Sequence, residues 1–259
     1  MQDHHRRAAE KAVARLREEP DVRLVLLAGS IAKGQERADS DVDLIAVTTD
    51  EGYAERLDRG AAAFLWTDLA DWAGGYVEGR YLSRGFVLAA AERGSEPTRW
   101  SFTGVSPLWG EDAEVLQALP CIPRYPEETR EKRLDAFFAQ LTLCHHYFWK
   151  EGVRRCDPYL KAWAQVQIVL FAGRLVLAHD RVLFPNQKRL MEALATCPSK
   201  PPNFEWLAER VLAGDLPAGE ELYGAIRTLI GPREADLISR FEQDVEMSWF
   251  TGAHDVAEW

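Results

Sequence analysis

The spacing of apolar and polar positions changes part-way along the chain. In the first 120 residues, short apolar runs bounded by Gly, Ser or Asp predict strands that alternate with short helices. Beyond residue 126 the apolar positions recur at helical spacing instead. A proline-rich stretch at residues 119–126 separates the two patterns. We therefore predict an α+β fold, with a mixed β-sheet and helices in residues 1–120 and an all-α helical bundle in residues 127–259.

The first domain is predicted to combine a sheet with short helices. The apolar pattern predicts helices at residues 4–18, 31–37 and 52–59, and strands at residues 24–27, 43–48 and 74–83. Residues 61–71 are predicted to form a short strand and a turn, and residues 86–91 a strand or a short helix. Residues 94–110 have the Pro, Gly, Ser and Thr content of a loop.

The second domain is predicted to contain helices only. They are expected at residues 127–150, 157–177, 186–194, 204–212, 219–230 and 233–250. His145 and His146 are neighbours inside the first of these helices. Because adjacent positions of an α-helix point about 100° apart, we predict a core or rim location for each histidine rather than a metal-chelating pair.

Two carboxylates mark the beginning of the strand at residues 43–48. Asp41 and Asp43 alternate with apolar residues, so both side chains point to the same side at a strand period of two. Carboxylates in such a pair repel each other unless a cation lies between them. Hard oxygen ligands at this spacing suit Mg²⁺, which completes its coordination with water and substrate phosphates.

A glycine–serine pair follows the preceding strand. Residues 24–27 are apolar, and the run ends at Gly29 and Ser30. Glycine lets the backbone approach a ligand closely, whereas serine offers a hydroxyl and an N–H to a phosphate oxygen. The N–H groups of the helix predicted at residues 31–37 would also favour a phosphate near Ser30.

The order of these features resembles the signature of the DNA polymerase beta-like nucleotidyltransferase superfamily. That signature is a strand, a Gly-Ser turn, a short helix and loop, and an Asp-x-Asp pair on the next strand. Here it corresponds to residues 28–34 followed by residues 39–44. A helical bundle after such a domain is similar to the small-molecule enzymes of the superfamily, which modify aminoglycoside and lincosamide antibiotics.

The resemblance implies an Mg²⁺-dependent enzyme that moves a nucleoside monophosphate, AMP from ATP, onto a hydroxyl of a small molecule such as one of these antibiotics. It implies that Asp41 and Asp43 hold the metal and that Gly29 and Ser30 hold the β/γ end of the triphosphate. An acidic residue on a later strand completes the metal site in this family or acts as the base.

Glu78, in the strand predicted at residues 74–83, is our candidate for this third carboxylate. Asp68 and Asp71 are alternatives. Glu78 also fits an exposed strand residue paired with Arg80, so the sequence leaves the choice open.

Three lysines are candidates for contacts to the triphosphate, namely Lys33, Lys161 and Lys188. Each also fits an ordinary solvated surface lysine. Lys161 is favoured slightly because it lies near the start of a predicted helix.

The composition narrows the class of protein. The hydrophobic content of 47% and charged content of 28% are typical of a soluble globular protein. The net charge of −10 argues against a broad nucleic-acid-binding surface and suits a cationic acceptor. From the sequence we expect no apolar run of the length that crosses a membrane, and the first residues do not resemble a signal peptide.

Cysteine usage points to a reducing compartment. The four cysteines lie far apart, without the spacing of metal ligands, at positions 121, 144, 156 and 197. We therefore predict reduced thiols in a cytoplasmic protein. A homodimer is compatible with the sequence.

Two alternative functions come from other classes. One is a nucleotidyltransferase of a toxin–antitoxin pair acting on tRNA or protein, for which clustered Lys and Arg would be expected and are not found. The other is a non-catalytic nucleotide-binding regulator, which loss of a carboxylate would favour, although Asp41 and Asp43 are both present. The acceptor and the preferred nucleotide stay open.

Overall fold

A five-stranded mixed sheet organises the first half of the chain in the computed structural model, which describes residues 1–233, 237–245 and 247–251. The chain divides into two units, Met1–Arg124 and Tyr125–Trp259, and the change falls within the proline-rich stretch. Unit 1 carries the sheet, whereas the described residues of unit 2 form helices. The predicted α+β class is confirmed.

The sheet of unit 1 has the strand order β3-β4-β2-β1-β5. Its strands are β1 (Val22–Leu27), β2 (Val42–Thr48), β3 (Ala63–Trp66), β4 (Val77–Ser83) and β5 (Ser106–Gly110). The helices are α1 (Asp3–Leu16), α2 (Gly29–Ala32), α3 (Asp50–Asp58), α4 (Arg84–Arg93), α5 (Glu96–Ser101) and α6 (Ala113–Ala118), followed by a 3₁₀ turn at Leu119–Cys121. Strands β2 and β4 are parallel, and the other neighbouring pairs are antiparallel.

Both faces of the central strands are buried. Alternate residues of β1 and β2, such as Val25 and Leu44, pack in one apolar cluster with the alanine-rich face of α1. The intervening residues, such as Ile45, join a second cluster with Val87 of α4 on the opposite face. Burial on both faces explains why these strands are nearly continuous apolar runs rather than alternating ones. It also means that a charged residue on either central strand is tolerated only at the strand ends.

The prediction of a loop at residues 94–110 is wrong. This segment contains α5 and β5. Ser95 caps α5 by accepting a hydrogen bond from the Thr98 N–H, and a proline occupies the first turn of that helix. β5 is an edge strand containing Pro107, and proline is tolerated at an edge because its missing N–H breaks no ladder. The turn-rich composition therefore concealed two short elements.

Two other predictions are settled by the structure. The helix predicted at residues 31–37 is only the short α2, which ends at Ala32. Gly34 follows with a φ of +66°, a left-handed conformation that stops a helix. Residues 86–91, predicted to form either a strand or a short helix, belong to α4.

Unit 2 is built around one long apolar helix, α9. The helices are α7 (Arg130–Leu143), α8 (Lys150–Arg154), α9 (Pro158–Asp180), α10 (Leu190–Leu194), α11 (Phe204–Leu212), α12 (Leu216–Ile230), α13 (Leu237–Asp244) and α14 (Ser248–Thr251). Short 3₁₀ turns lie at Glu127–Thr129 and Gln187–Arg189, and a π-helix lies at Cys144–Trp149. The last predicted helix, residues 233–250, includes positions outside the described residues.

Helix α9 is long and apolar enough to cross a membrane by length and composition, contrary to our expectation from the sequence. Most of it is buried within unit 2, where it packs against α7, the π-helix, α11 and α12. A core helix surrounded by other helices is apolar on all sides, and this burial accounts for the composition.

The helix predicted at residues 127–150 is not one regular α-helix. It consists of α7, the π-helix and α8 in succession. His145 and His146 lie in the π-helix, with His145 buried and His146 exposed. The predicted core and rim locations are confirmed, but the assumed α-helical geometry at these residues is wrong.

Gly79 of β4 provides a test of the packing of the sheet. A Cβ atom at this position would lie 2.6 Å from the Leu44 carbonyl oxygen and 2.3 Å from the Phe64 ring. We expect Gly79→Ala to lower the free energy of unfolding by about 1–3 kcal/mol, measured by urea denaturation.

Gly224→Ala is the control, because Gly224 is exposed on α12 with no atom within 4 Å of the added Cβ. It should instead raise stability by about 0.5–1 kcal/mol through its helix propensity. Equal stability of Gly79→Ala and the unchanged protein would contradict the packing described for β4.

Candidate functional site

Three carboxylates meet at one end of the sheet. Asp41, Asp43 and Glu78 each offer a carboxylate oxygen, and these oxygens lie within 4.8 Å of one another. All three residues are half-buried. The structure therefore brings together the two acids of the Asp-x-Asp pair and the strand residue Glu78.

The parallel pairing of β2 and β4 places these acids together. Asp43 and Glu78 are direct register partners, and each is the second residue of its strand. Since parallel strands begin at the same edge of a sheet, acids near both strand starts occupy the same edge. Asp41, immediately before β2, lies on the same face as Asp43 because the two residues are two positions apart.

The other acids considered from the sequence lie elsewhere in unit 1. Asp68 forms an ion pair with Arg15, and Asp71 forms one with Arg7, both on α1. The proposed pairing of Glu78 with Arg80 is wrong, since Arg80 donates a hydrogen bond to the Ser101 hydroxyl at 2.9 Å. Of these candidates, only Glu78 approaches Asp41 and Asp43.

Gly29 packs directly against the Asp43 carboxylate. Its φ is +66°, and a Cβ atom added to it would lie 1.7 Å from Asp43 Oδ2. The Ala28 N–H also donates a hydrogen bond to the Asp43 main-chain oxygen at 2.9 Å. Glycine is therefore required at position 29 for two reasons, the left-handed backbone and the contact with the acid. Ser30 follows in the first turn of α2 and is half-buried.

The neighbouring acids raise the tendency of Asp43 to hold a proton. Burial, together with the charges of Asp41 and Glu78, raises the pKa of Asp43 to about 6, while Lys33 acts in the opposite direction. Asp41 likewise raises the pKa of Tyr76, whose hydroxyl is beside it. Near neutral pH the site therefore concentrates negative charge that favours a bound cation.

Of the three lysines predicted to contact the triphosphate, Lys33 lies close to the carboxylates. Its charge is near enough to Asp43 to lower the pKa of that carboxyl. Its Nζ also lies 3.1 Å from the centroid of the Trp100 ring. Lys33 follows α2 directly, so the same short segment carries Gly29, Ser30 and this ammonium group.

The two remaining lysines belong to unit 2. Lys161 lies in the first turns of α9, with its Nζ beside Gly214. Lys188 is exposed in the 3₁₀ turn Gln187–Arg189. Their role in binding phosphate stays a prediction.

Sequence reasoning missed Tyr76 as a neighbour of the acids, and it named Arg80 only as a possible partner of Glu78. Tyr76 lies beside Asp41, and Arg80 interacts electrostatically with Asp43. Both are two residues from Glu78, so the strand period that selected Glu78 places all three side chains on one face. Applying that period in both directions from Glu78 would have found Tyr76 and placed Arg80 on the face of the acids.

The donor set fits a hard divalent cation. Carboxylate oxygens are the protein ligands that Mg²⁺ prefers, and one or two of them are enough when a substrate supplies phosphate oxygens. The three acids converge from two strand starts on one side of the sheet. Asp41, Asp43 and Glu78 could therefore hold one or two such ions.

Comparison with known proteins leaves the chain without a family assignment. No protein-family model matches it, and no curated protein matches it. Among solved structures it is similar to a nucleotidyltransferase-like protein from Exiguobacterium sibiricum 255-15, with 11% sequence identity and a TM-score of 0.47. The similarity covers 96% of this chain and 91% of the other. At this identity and TM-score the similarity carries no argument about function.

Gly29→Ala tests the contact between the turn and the acid. We expect it to weaken binding of Mn²⁺, a spectroscopic substitute for Mg²⁺, by about tenfold or more, because the new Cβ displaces the Asp43 carboxylate. Binding is measured by electron paramagnetic resonance of free Mn²⁺.

Gly34→Ala is the matched control, because Gly34 has the same φ of +66° with no atom within 4 Å of an added Cβ. The Gly34→Ala variant therefore has the same backbone strain, but its added Cβ does not contact the acids. Equal Mn²⁺ affinities in the two variants would show that Gly29 does not position Asp43.

Asp43→Asn should stabilise the metal-free protein above pH 6. The raised pKa means that the folded state holds this proton more tightly than the unfolded chain, so stability falls as pH rises from about 4 to about 6. Asparagine resembles the protonated acid and avoids this loss. We expect Asp43→Asn to raise the free energy of unfolding by about 1–3 kcal/mol at pH 8 in the presence of a chelator, and to change it little near pH 4. Urea denaturation at the two pH values measures this difference.

Asp39→Asn is the control for that experiment. Asp39 is exposed, and its hydrogen bond from Arg37 lowers its pKa, so its removal should bring no gain at pH 8. If the two variants changed stability alike at pH 8, the repulsion among the three acids would be refuted.

Proposed function

We propose that the protein is a metal-dependent nucleotidyltransferase, which transfers AMP from ATP to a hydroxyl of a small molecule. The observation that supports this most is the meeting of Asp41, Asp43 and Glu78 beside the Gly29 turn. A cluster of acids alone suits many cations. The added feature is a backbone turn in contact with one acid, followed by a serine and a lysine that suit phosphate oxygens.

Each residue has a proposed task in this reaction. Asp41 and Asp43 hold Mg²⁺, which when bound offsets the charge that develops on the phosphoryl oxygens. The Gly29–Ser30 backbone and the Ser30 hydroxyl receive the β/γ end of the triphosphate, and Lys33 is the nearby positive group. Lys161 and Lys188 are retained as further candidate phosphate contacts.

Glu78 is the proposed base. The acceptor hydroxyl loses its proton to Glu78 as its oxygen attacks the α-phosphorus, and the bond from that phosphorus to the bridging oxygen breaks. Pyrophosphate then leaves with the electron pair. The alternative task of Glu78 is to bind a second metal ion, since its carboxylate lies within 4.8 Å of the other two.

A small hydroxylated cation is the acceptor class we propose, with aminoglycosides as the first candidates and lincosamides as the second. The net charge of −10 and the acidic site favour a positively charged acceptor over a nucleic acid. Cytoplasmic location and a homodimer stay predictions.

The first test is calorimetric titration of ATP with Mg²⁺ into the unchanged protein and into Asp41→Ala/Asp43→Ala. We expect Mg²⁺-dependent binding that the double variant loses, because Asp41 and Asp43 would hold the metal ion whose charge favours the triphosphate. Asp68→Ala/Asp71→Ala, which removes two acids paired with α1, is the matched control and should keep binding.

Pyrophosphate release then separates an enzyme from a regulator. With an aminoglycoside or lincosamide present, release should occur in the unchanged protein and fall at least a hundredfold in Glu78→Gln, as expected for loss of a general base. Metal-dependent binding of ATP without release of pyrophosphate in the presence of any tested acceptor would favour the non-catalytic regulator. A folded protein that binds no nucleoside triphosphate would refute the proposed activity.

A further inference from the structure

Unit 2 contains a second cluster of metal-binding side chains. His145, His146 and Glu220 each offer one ligand atom, and these atoms lie within 4.8 Å of one another. His145 and His146 come from the π-helix, and Glu220 comes from α12. This set of two imidazoles and one carboxylate differs in chemistry from the three carboxylates of unit 1.

The π-helix places the two histidines close together. Its wider turn changes the direction in which successive side chains project, compared with a regular α-helix. The two imidazole ring centroids are 4.6 Å apart, with the rings tilted at 75°. Neighbouring histidines can therefore face a common point here, which regular α-helical spacing does not allow. Short π segments in helices are frequent at functional sites.

His145 is buried without a hydrogen-bond partner. The residue is 1% exposed, and no described residue forms a hydrogen bond with its Nδ1. Its Nε2 lies 3.9 Å from Glu220 Oε1, which is beyond hydrogen-bond distance. With the proton on Nδ1, the lone pair of Nε2 points to the carboxylate side of the cluster and can bind a cation.

Neighbouring groups hold this arrangement in place. The Tyr223 ring stacks on the His145 ring, with an angle of 7° between their planes, and the Tyr223 hydroxyl lies 3.2 Å from that of Thr142. Gly219 lets α12 approach closely, since a Cβ there would be 2.4 Å from the Trp149 ring. This close approach brings the adjacent Glu220 to the histidines.

Glu220 and His146 remain accessible to solvent, so an ion can enter from the surface. In the structure Glu220 also lies 3.5 Å from the Lys150 ammonium group. Both partners of this contact are exposed, and such pairs contribute little. A divalent cation bonded to two imidazoles can therefore displace Lys150 from the carboxylate.

We propose that His145, His146 and Glu220 bind a divalent transition-metal ion of the Zn²⁺ type. Two imidazoles and one carboxylate are a donor set that Zn²⁺ accepts, with a fourth position open to water. Imidazole favours Zn²⁺ and Co²⁺ over Mg²⁺. This site does not depend on the proposed nucleotidyl transfer. Its imidazole ligands favour a different ion from the one that the carboxylates of unit 1 would hold.

The test uses the full chain carrying Asp41→Ala/Asp43→Ala, so that the carboxylates of unit 1 do not compete. Zn²⁺ is titrated by calorimetry, and Co²⁺ by its visible absorption. We expect one Zn²⁺ per chain, unaffected by excess Mg²⁺. His146→Ala and Glu220→Gln should each weaken binding at least tenfold, and both change exposed residues so that folding is preserved.

Glu221→Gln is the matched control, because Glu221 is exposed beside Glu220 and its carboxylate accepts a hydrogen bond from Asn203. It should leave the Zn²⁺ affinity unchanged. The proposal is overturned if neither ion binds saturably, or if binding persists at full strength in both His146→Ala and Glu220→Gln. A cobalt spectrum showing thiolate ligation would also overturn it, by assigning the ion to cysteine.

Discussion

Holding like charges together is the constraint on which the first unit depends. Asp41, Asp43 and Glu78 are half-buried within a few ångströms of one another, and burial of ionised groups in such proximity is unfavourable without a counter-charge. The sheet holds them there because β2 and β4 run parallel in a fixed register. Apolar residues on both faces of the central strands stabilise that register. The core therefore maintains an arrangement that the acids by themselves would oppose.

The same strands show what sequence can and cannot predict. Period-two alternation was sufficient to place Asp41 and Asp43 on one face, since it is a local property of one strand. Choosing Glu78 over Asp68 and Asp71 depended on which strand lies beside β2, and that pairing is not local. Edge strand β5 was missed because its proline and polar residues are also those of a loop. The fold class was predictable because strand-like runs and helical spacing occupy different halves of the chain.

The π-helix illustrates a different limit. Residues 127–150 have the apolar spacing of a helix, and they do form helical structure almost throughout. No local signal indicated that the hydrogen-bond pattern changes at Cys144. Packing against α9 and α12 accompanies this change, and such contacts arise only when the unit is assembled. The α-helical geometry assumed from the sequence was wrong at His145 and His146, although their core and rim locations were predicted correctly.

The position of β5 has a consequence for how the protein folds during synthesis. β1 is made early, yet one of its two neighbours is β5, with Leu24 opposite Gly110. Until the ribosome has released residue 110, that side of β1 presents unpaired N–H and C=O groups, which readily pair with strands of other chains. Such long-range pairing also slows folding, because distant segments must meet before the sheet is complete. The nascent chain is thus most exposed to aggregation between the release of β1 and the release of residue 110, when β5 can cover that side of β1.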